Sequence, residues 1–248
     1  TQGRSSGRGL GIIDVPLDGG APTASFREVI ADSAGPAPAR VAALVRRAVD
    51  DVRATIERPV ADVADAMPRE PDEQYALGNL IADSQRWATR SDIAVMNNGG
   101  IRTGLAAGPA TFGALLEIQP FGNTLYVLSV RGRDLKPYLA RLVSRNRPRW
   151  HVSGVALAFD STRTGDDRLV SATLDGGRAL EDDRVYTVTI NDFLVTGGDG
   201  STLTERAQSV REAKIVDLDA LVGYLKQLPQ PVRAPAEVRI RNVAGVAQ

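Results

Sequence analysis

Apolar positions along the chain fall into short runs and spaced stripes that predict strands mixed with helices. Leu10 to Val15 is an apolar stretch of strand length. Asp18 to Pro38 is rich in Gly, Pro, Ala and Ser and predicts a loop or linker, with a helical turn around Phe26 to Ile30. A clear helix follows from Arg40 to Ile56. Val41, Leu44, Val45, Ala48, Val49, Val52 and Ile56 recur at helical spacing, with Arg46, Arg47, Asp50, Asp51 and Arg53 on the other side. Pro59 ends it. A second helix is predicted from Tyr75 to Ala88, burying Leu77, Leu80, Ile81 and Trp87.

Asp92 to Met96 then reads as a short strand. Thr111 caps a helix through Glu117. Thr124 to Val130 reads as strand and Arg133 to Val143 as helix. Val152 to Phe159 reads as one strand. Val170 to Leu174 and Tyr186 to Ile190 are strands flanking an Asp175-Gly176-Gly177 turn region. Asp217 caps a last helix with Leu218, Leu221, Val222, Leu225 and Leu228 inward, and Val238 to Ile240 closes as a strand. This mixture, with at least one hairpin, predicts an α+β fold with a mixed sheet.

Composition narrows the chemistry. The chain has 248 residues and is 43% hydrophobic, enough for one sizeable core with an appended segment. Lys+Arg and Asp+Glu both number 30, so overall charge gives no reason to expect a nucleic acid polymer or an anionic membrane as partner. No apolar run reaches the roughly 18 residues that span a bilayer. Cysteine is absent, which removes disulfides, zinc-thiolate sites and Cys nucleophiles. The start at Thr1, without Met or an apolar stretch, reads as a cut end.

A hydrolytic two-metal site needs several imidazole and carboxylate ligands around ions about 3.5–4 Å apart. This chain has one histidine, His151, which reads as a structural or surface residue beside Trp150. There is no Gly-x-Ser-x-Gly elbow and no P-loop. Asp166-Asp167 and Asp182-Asp183 read as solvated turns. No catalytic residue and no metal ligand is therefore assigned.

Three glycine-rich loops remain. Asn97-Asn98-Gly99-Gly100-Ile101-Arg102 follows a strand. Its paired glycines would let the backbone adopt positive φ and approach a ligand. The Asn97 amide suits a nucleobase edge, and Arg102 suits a phosphate or carboxylate. A tight turn with Arg102 in a structural ion pair reads equally well. Pro120-Phe121-Gly122-Asn123 places an aromatic ring where it suits a surface better than a core. The third loop, Asn191 to Gly200, carries Phe193 at a strand end and Asp199 between Gly198 and Gly200. Asp199 can accept from a ribose diol, or stabilise a turn. Phe193 can stack on a base, or fill the core. Two aromatics sandwiching a base would contribute about 1–3 kcal/mol per face.

These loops, with Leu77-Gly78-Asn79-Leu80-Ile81-Ala82-Asp83, resemble the signatures of the 5′-nucleotidase C-terminal domain, in order, from about Ile56 to Ile240. The resemblance implies the mixed-sheet α/β sandwich of that domain over 59–248. It also implies, over 1–58, the end of a preceding catalytic domain with a linker and a connecting helix at or near a hinge. Phe121 and Phe193 would stack on a base and Asp199 would hold the ribose. Asn97 and Asn123 would hydrogen-bond base or ribose, and Arg102 would hold phosphate or ribose. Gly100 and Gly198 are the loop glycines beside them.

The family often adds an Arg shortly before the Gly78-Asn79 pair. Here Arg69-Glu70-Pro71-Asp72-Glu73-Gln74 intervenes, and Arg69 substitutes from slightly farther away. In the family a metallophosphoesterase domain performs hydrolysis. Its histidine motifs are missing, so the resemblance implies a substrate-binding fragment, inactive alone. No cofactor belongs to this chain, and two divalent ions belong to the catalytic domain, its partner in cis. The full protein would be periplasmic, secreted or at the cell surface. The substrate could be a 5′-nucleotide, a cyclic nucleotide, a UDP-sugar or a non-nucleotide. A non-catalytic docking domain on the same fold is the competing reading.

Overall fold

A computed structural model describes residues 3–4, 7–29, 35–70 and 73–245. The chain divides into two compact units, Thr1–Ala54 and Thr55–Gln248. In the first, β1 (Gly9–Asp14) pairs antiparallel with β2 (Thr23–Glu28), and α1 (Ala39–Ile56) follows and runs across the boundary. The linker reading of Asp18 to Pro38 is corrected here: Phe26 lies in a strand, not a helical turn, while Ile30 lies outside the described residues. The alternation in Thr23-Ala24-Ser25-Phe26 matches the period-two pattern that a hairpin strand needs. α1 forms as its periodicity predicts, but Val41, Leu44, Val45, Val49 and Val52 are exposed.

The second unit is built on a five-stranded sheet of order β11-β6-β10-β4-β7, with β4 (Ile93–Asn97), β6 (Thr124–Arg131), β7 (Trp150–Ser153), β10 (Val185–Asn191) and β11 (Ser209–Val216). Only β10 and β4 run parallel, so the sheet is mixed as expected. Smaller sheets are β12-β8-β9, from β8 (Val155–Phe159), β9 (Leu169–Leu174) and β12 (Ile240–Asn242), and the pair β3 (Pro59–Val63) with β5 (Gly108–Thr111). The helices are α2 (Ala76–Thr89), α3 (Phe112–Ile118), α4 (Gly132–Leu142), α5 (Asp192–Val195), α6 (Leu203–Arg206) and α7 (Asp217–Gln227).

Two cores form on opposite faces of the central sheet. One joins Ile93, Val95, Leu128 and Val188 to Leu135, Tyr138 and Leu139 of α4 and to Leu157 and Phe159 of β8. The other joins Met96 to Leu77, Leu80 and Ile81 of α2, Leu115 and Ile118 of α3, and Leu218, Leu221 and Leu225 of α7. Covered on both faces, β4 is apolar without alternation and is buried throughout. That continuous apolar run brings the first glycine-rich loop to the end of a fixed strand. Thr111 caps α3 as expected, its Oγ1 accepting from the Ala114 N–H at 3.3 Å.

Further expectations are corrected. Val152 to Phe159 is two strands in different sheets, split at Gly154. There φ is +79° and a Cβ would stand 2.0 Å from the Asp92 carbonyl oxygen, so only glycine fits and the chain turns. β9 and β10 are not hairpin partners. The turn at Gly176 and Gly177, both with positive φ, returns the chain beside β9, with Leu174 N–H donating to the Arg178 carbonyl at 2.7 Å. Trp87 is 42% exposed and rests on Tyr224 rather than in the core. Asp217 is the first residue of α7 rather than the residue before it, and β12 begins at Ile240, leaving Val238 exposed. Among the described residues no helix is long and apolar enough to cross a membrane.

Candidate functional site

β4 ends at Asn97, and Asn98–Gly100 makes one tight turn. Asn98 is buried scaffold: Tyr75 Oη donates to its Oδ1 at 2.7 Å, and its Nδ2 donates to the Glu70 carbonyl at 2.9 Å. Asn97 is 2% exposed. Its Oδ1 accepts from Asn191 Nδ2 at 3.2 Å, and its Nδ2 donates to Asp199 Oδ2 at 2.7 Å. The glycines serve a different purpose from the one their sequence suggests. Neither Gly99 nor Gly100 has positive φ. A Cβ on Gly100 would stand 2.6 Å from Met96 Cε, and one on Gly99 would stand 3.3 Å from Asn97 Nδ2. Gly100 is needed for close packing, Gly99 leaves a tight but passable fit, and neither serves a left-handed turn. Arg102 is exposed and forms no ion pair among the described residues; its Nη1 donates to the Gly99 carbonyl at 3.2 Å. Arg69 Nε donates to the Ile101 carbonyl at 2.6 Å, which brings this residue to the same loop.

The second loop carries Phe121, 56% exposed, before Gly122 with φ +63°. The Arg102 guanidinium lies 5.7 Å from the centre of the Phe121 ring. Asn123 Nδ2 donates to Asp217 Oδ2 at 3.3 Å, and the Asp217 N–H donates to the Asn123 carbonyl at 2.8 Å. Asp217 is buried and also accepts from Gln119 Nε2. Burial pushes its carboxyl up to about 6, against the lowering effect of the Leu218 N–H and Asn123.

The third loop begins with Asn191, whose Oδ1 caps α5 by accepting from the Leu194 N–H at 3.0 Å. Phe193 is 45% exposed, so the core reading of this ring is wrong. Gly198 lies against it: a Cβ there would stand 2.4 Å from Phe193 Cε1. Asp199 adopts φ +50°, next to Gly200 at +72° and two residues after Gly197 at +90°. Asp tolerates the left-handed region better than most side chains, and here it turns its carboxylate onto Asn97.

The three loops form a closed ring. Asn97 joins the first to the third through Asp199 and Asn191. The Arg102 N–H donates to the Ile118 carbonyl at 2.9 Å, and its side chain covers Phe121, joining first to second. The Thr124 N–H donates to Asp192 Oδ2 at 3.1 Å, joining second to third. Sequence reading missed the parts played by Tyr75, Asn191, Asp192 and Asp217. Asn191 and Asp192 stood inside the third motif. Asp217 carried one signal, an acid opening an otherwise apolar helix, and that read as a simple cap.

His151 is fully buried in β7 and neither ring nitrogen has a hydrogen-bond partner among the described residues. Burial first, then Arg239 and Arg69, hold its pKa down to about 3, so the ring stays neutral. It packs edge-on to Tyr75, with ring centres 4.6 Å apart. Gly78 of α2 is pressed against the same ring, where a Cβ would stand 2.2 Å from Cε1. Asp182 and Asp183 are exposed and pair with Lys136 and Arg133. Among the described residues no three His, Asp or Glu side chains are grouped to hold a metal ion.

Comparison with known proteins fits this geometry. The family model described as 5′-nucleotidase, C-terminal domain, matches residues 53–206. The chain is 36% identical over 176 residues to endonuclease YhcR of Bacillus subtilis, covering 68% of this chain and 14% of that protein. It is 35% identical over 169 residues to a cell wall protein of Listeria monocytogenes, covering 62% and 21%. A crystal structure of a 5′-nucleotidase precursor from Thermus thermophilus superposes with a TM-score of 0.77 at 30% identity, over 98% of this chain and 51% of that one. The chain thus spans about half or less of the length of these relatives. With the family model matching more than half of the sequence, through all three loops, and the fold shared, the chain belongs to the 5′-nucleotidase C-terminal domain family.

Proposed function

We propose that the ring of three loops recognises the nucleoside part of a nucleotide, as the substrate-binding half of a phosphoric ester hydrolase. Phe121 and Phe193 stack on the base, and Asp199 accepts from the ribose hydroxyls. The observation that carries this reading is the pairing of two half-exposed phenylalanines with an exposed aspartate on loops tied to one another. Aromatic rings held at the surface on loops of a rigid scaffold present a large apolar face in a fixed position, which a planar ligand can stack on. In this reading Asn97 is a positioning residue: its acceptor is taken by Asn191 and one donor by Asp199, so it aims the carboxylate. Asn123 is held by Asp217 and fixes the Phe121 loop. Arg102, on the first loop, and Arg69, bonded to that loop's Ile101 carbonyl, are the cations that would meet the phosphate end.

Hydrolysis belongs to a metallophosphoesterase domain in cis, with two divalent ions. The described residues do not fit such ions: the one imidazole is buried and neutral, and no carboxylates cluster. Resemblance to a protein named for the cell wall supports placement of the whole protein at the cell surface or beyond the inner membrane. Titration calorimetry of the chain with adenosine, adenosine 5′-monophosphate and UDP-glucose tests the reading. Binding of at least one of them, weakened in Phe193→Ala, is expected. A folded chain that binds none at about millimolar concentration overturns it.

A further inference from the structure

Beside Asp199, away from the stacking rings, lies a cleft of about 500 Å³. Asp199 is part of its wall, whereas Phe121, Phe193, Arg102 and Asn123 are not. Three guanidinium groups, Arg141, Arg145 and Arg149, line it against the one carboxylate. Arg141 is fixed by donating from Nη2 to the Gly200 carbonyl at 2.7 Å, which ties the α4 side of the cleft to the Asp199 loop. Arg145 is exposed and makes no ion pair among the described residues.

The cleft also holds two buried hydroxyls, Tyr138 Oη and Ser201 Oγ, neither with a hydrogen-bond partner among the described residues. Burial pushes the Tyr138 hydroxyl up to about 12, with the Ser201 hydroxyl beside it acting in the opposite direction, and even paired with each other the two keep hydrogen-bonding capacity to spare. A buried polar atom without a partner is destabilising unless a ligand or water completes it. A cleft rich in Arg with unused hydroxyl donors has the chemistry of a phosphate site.

We propose that this cleft is a second anion-binding subsite, taking a phosphate esterified to the 2′- or 3′-oxygen of the ribose that Asp199 holds. The proposal rests on the ribose role given to Asp199 above. In such a ligand the Asp199 carboxylate accepts from the one ribose hydroxyl that stays free, and the phosphate on the neighbouring oxygen projects past Asp199 into the cleft, towards the guanidinium groups. Arg145 and Arg141 would grip the phosphate oxygens, with Tyr138 and Ser201 donating from below.

The test compares adenosine 5′-monophosphate, adenosine 3′,5′-bisphosphate and adenosine 2′,5′-bisphosphate by calorimetry on the 248-residue chain. At least one bisphosphate is expected to bind roughly tenfold more tightly than the monophosphate. The better of the two identifies the oxygen. The gain should shrink as salt rises and vanish in Arg145→Gln, with monophosphate affinity unchanged. Ser201→Ala, which removes no charge, should reduce the gain in part. Equal affinity for all three, or a gain that survives Arg145→Gln, overturns the subsite while leaving the base reading intact. Monophosphate affinity unmoved by Phe193→Ala, or no binding of any nucleotide, overturns the base reading and the subsite together.

Discussion

Asn97 Nδ2 donates to Asp199 Oδ2 at 2.7 Å, across 102 positions of sequence. The bond orients the carboxylate of a residue held in the left-handed region, at the point where the first and third loops meet. Asn97→Ala should leave the fold intact but release Asp199. Nucleoside affinity should drop about tenfold, on the scale of one charge-assisted hydrogen bond. Asn97→Asp should be worse, because it sets two carboxylates against each other. Calorimetry on both variants checks the order; an unchanged affinity in both would remove Asn97 from the site.

Phe121→Ala and Phe193→Ala should each cost about 1–3 kcal/mol of nucleoside binding. Both rings are half-exposed, so melting temperature should move little. Large destabilisation by Phe193→Ala would instead mark it as a packing residue.

Gly78 and His151 are in direct contact across α2 and β7. Gly78→Ala places a Cβ 2.2 Å from His151 Cε1, with Tyr75 against the ring. It should destabilise by about 1–3 kcal/mol despite the better helix propensity of Ala. The double variant Gly78→Ala/His151→Ala should recover part of that loss, since the added methyl then enters the space the ring leaves. Urea denaturation of the four proteins measures the coupling.

Asp217 makes stability depend on pH in the less usual direction. Its folded carboxyl titrates near 6, above the ordinary 3.8. Between those values the folded state keeps a proton that the unfolded chain has lost. This group therefore favours folding fully below about pH 4, and that contribution falls as pH rises to about 6. Asp217→Asn should remove the slope. Relative to wild type the variant should gain on the order of 1–3 kcal/mol between pH 4 and pH 7. A stability difference that stays constant over that range would contradict the assignment.

The periodic parts of this fold could be read from sequence because one physical cause dominated each. α1, α2 and α4 follow from spaced apolar residues, and β4 from an apolar run too short for a helix. The failures share a different cause. The break at Gly154 depends on the Asp92 carbonyl, far off in sequence, and one strand became two. β11 escaped notice because it is an edge strand carrying Arg211, Glu212 and Lys214, whose charges hide the alternation but guard the edge. At the site, the loop motifs pointed to the residues that converge, but not to which of them face outward. Asn97 looked like a base contact because an amide is versatile; its burial and its bonds to Asn191 and Asp199 are tertiary facts that no local pattern carries.

The ring of loop-to-loop contacts has a thermodynamic consequence. Each loop is held by two others, so removing any one contact also loosens the groups that the remaining contacts were positioning. The losses from Asn97→Ala, Phe121→Ala and Phe193→Ala, measured singly, will each include part of the same shared preorganisation. Added together they should exceed the total free energy of nucleoside binding, and combined variants should lose less than the sum. Energy in this site is then a property of a closed cycle, and only multiple-variant cycles can divide it among residues.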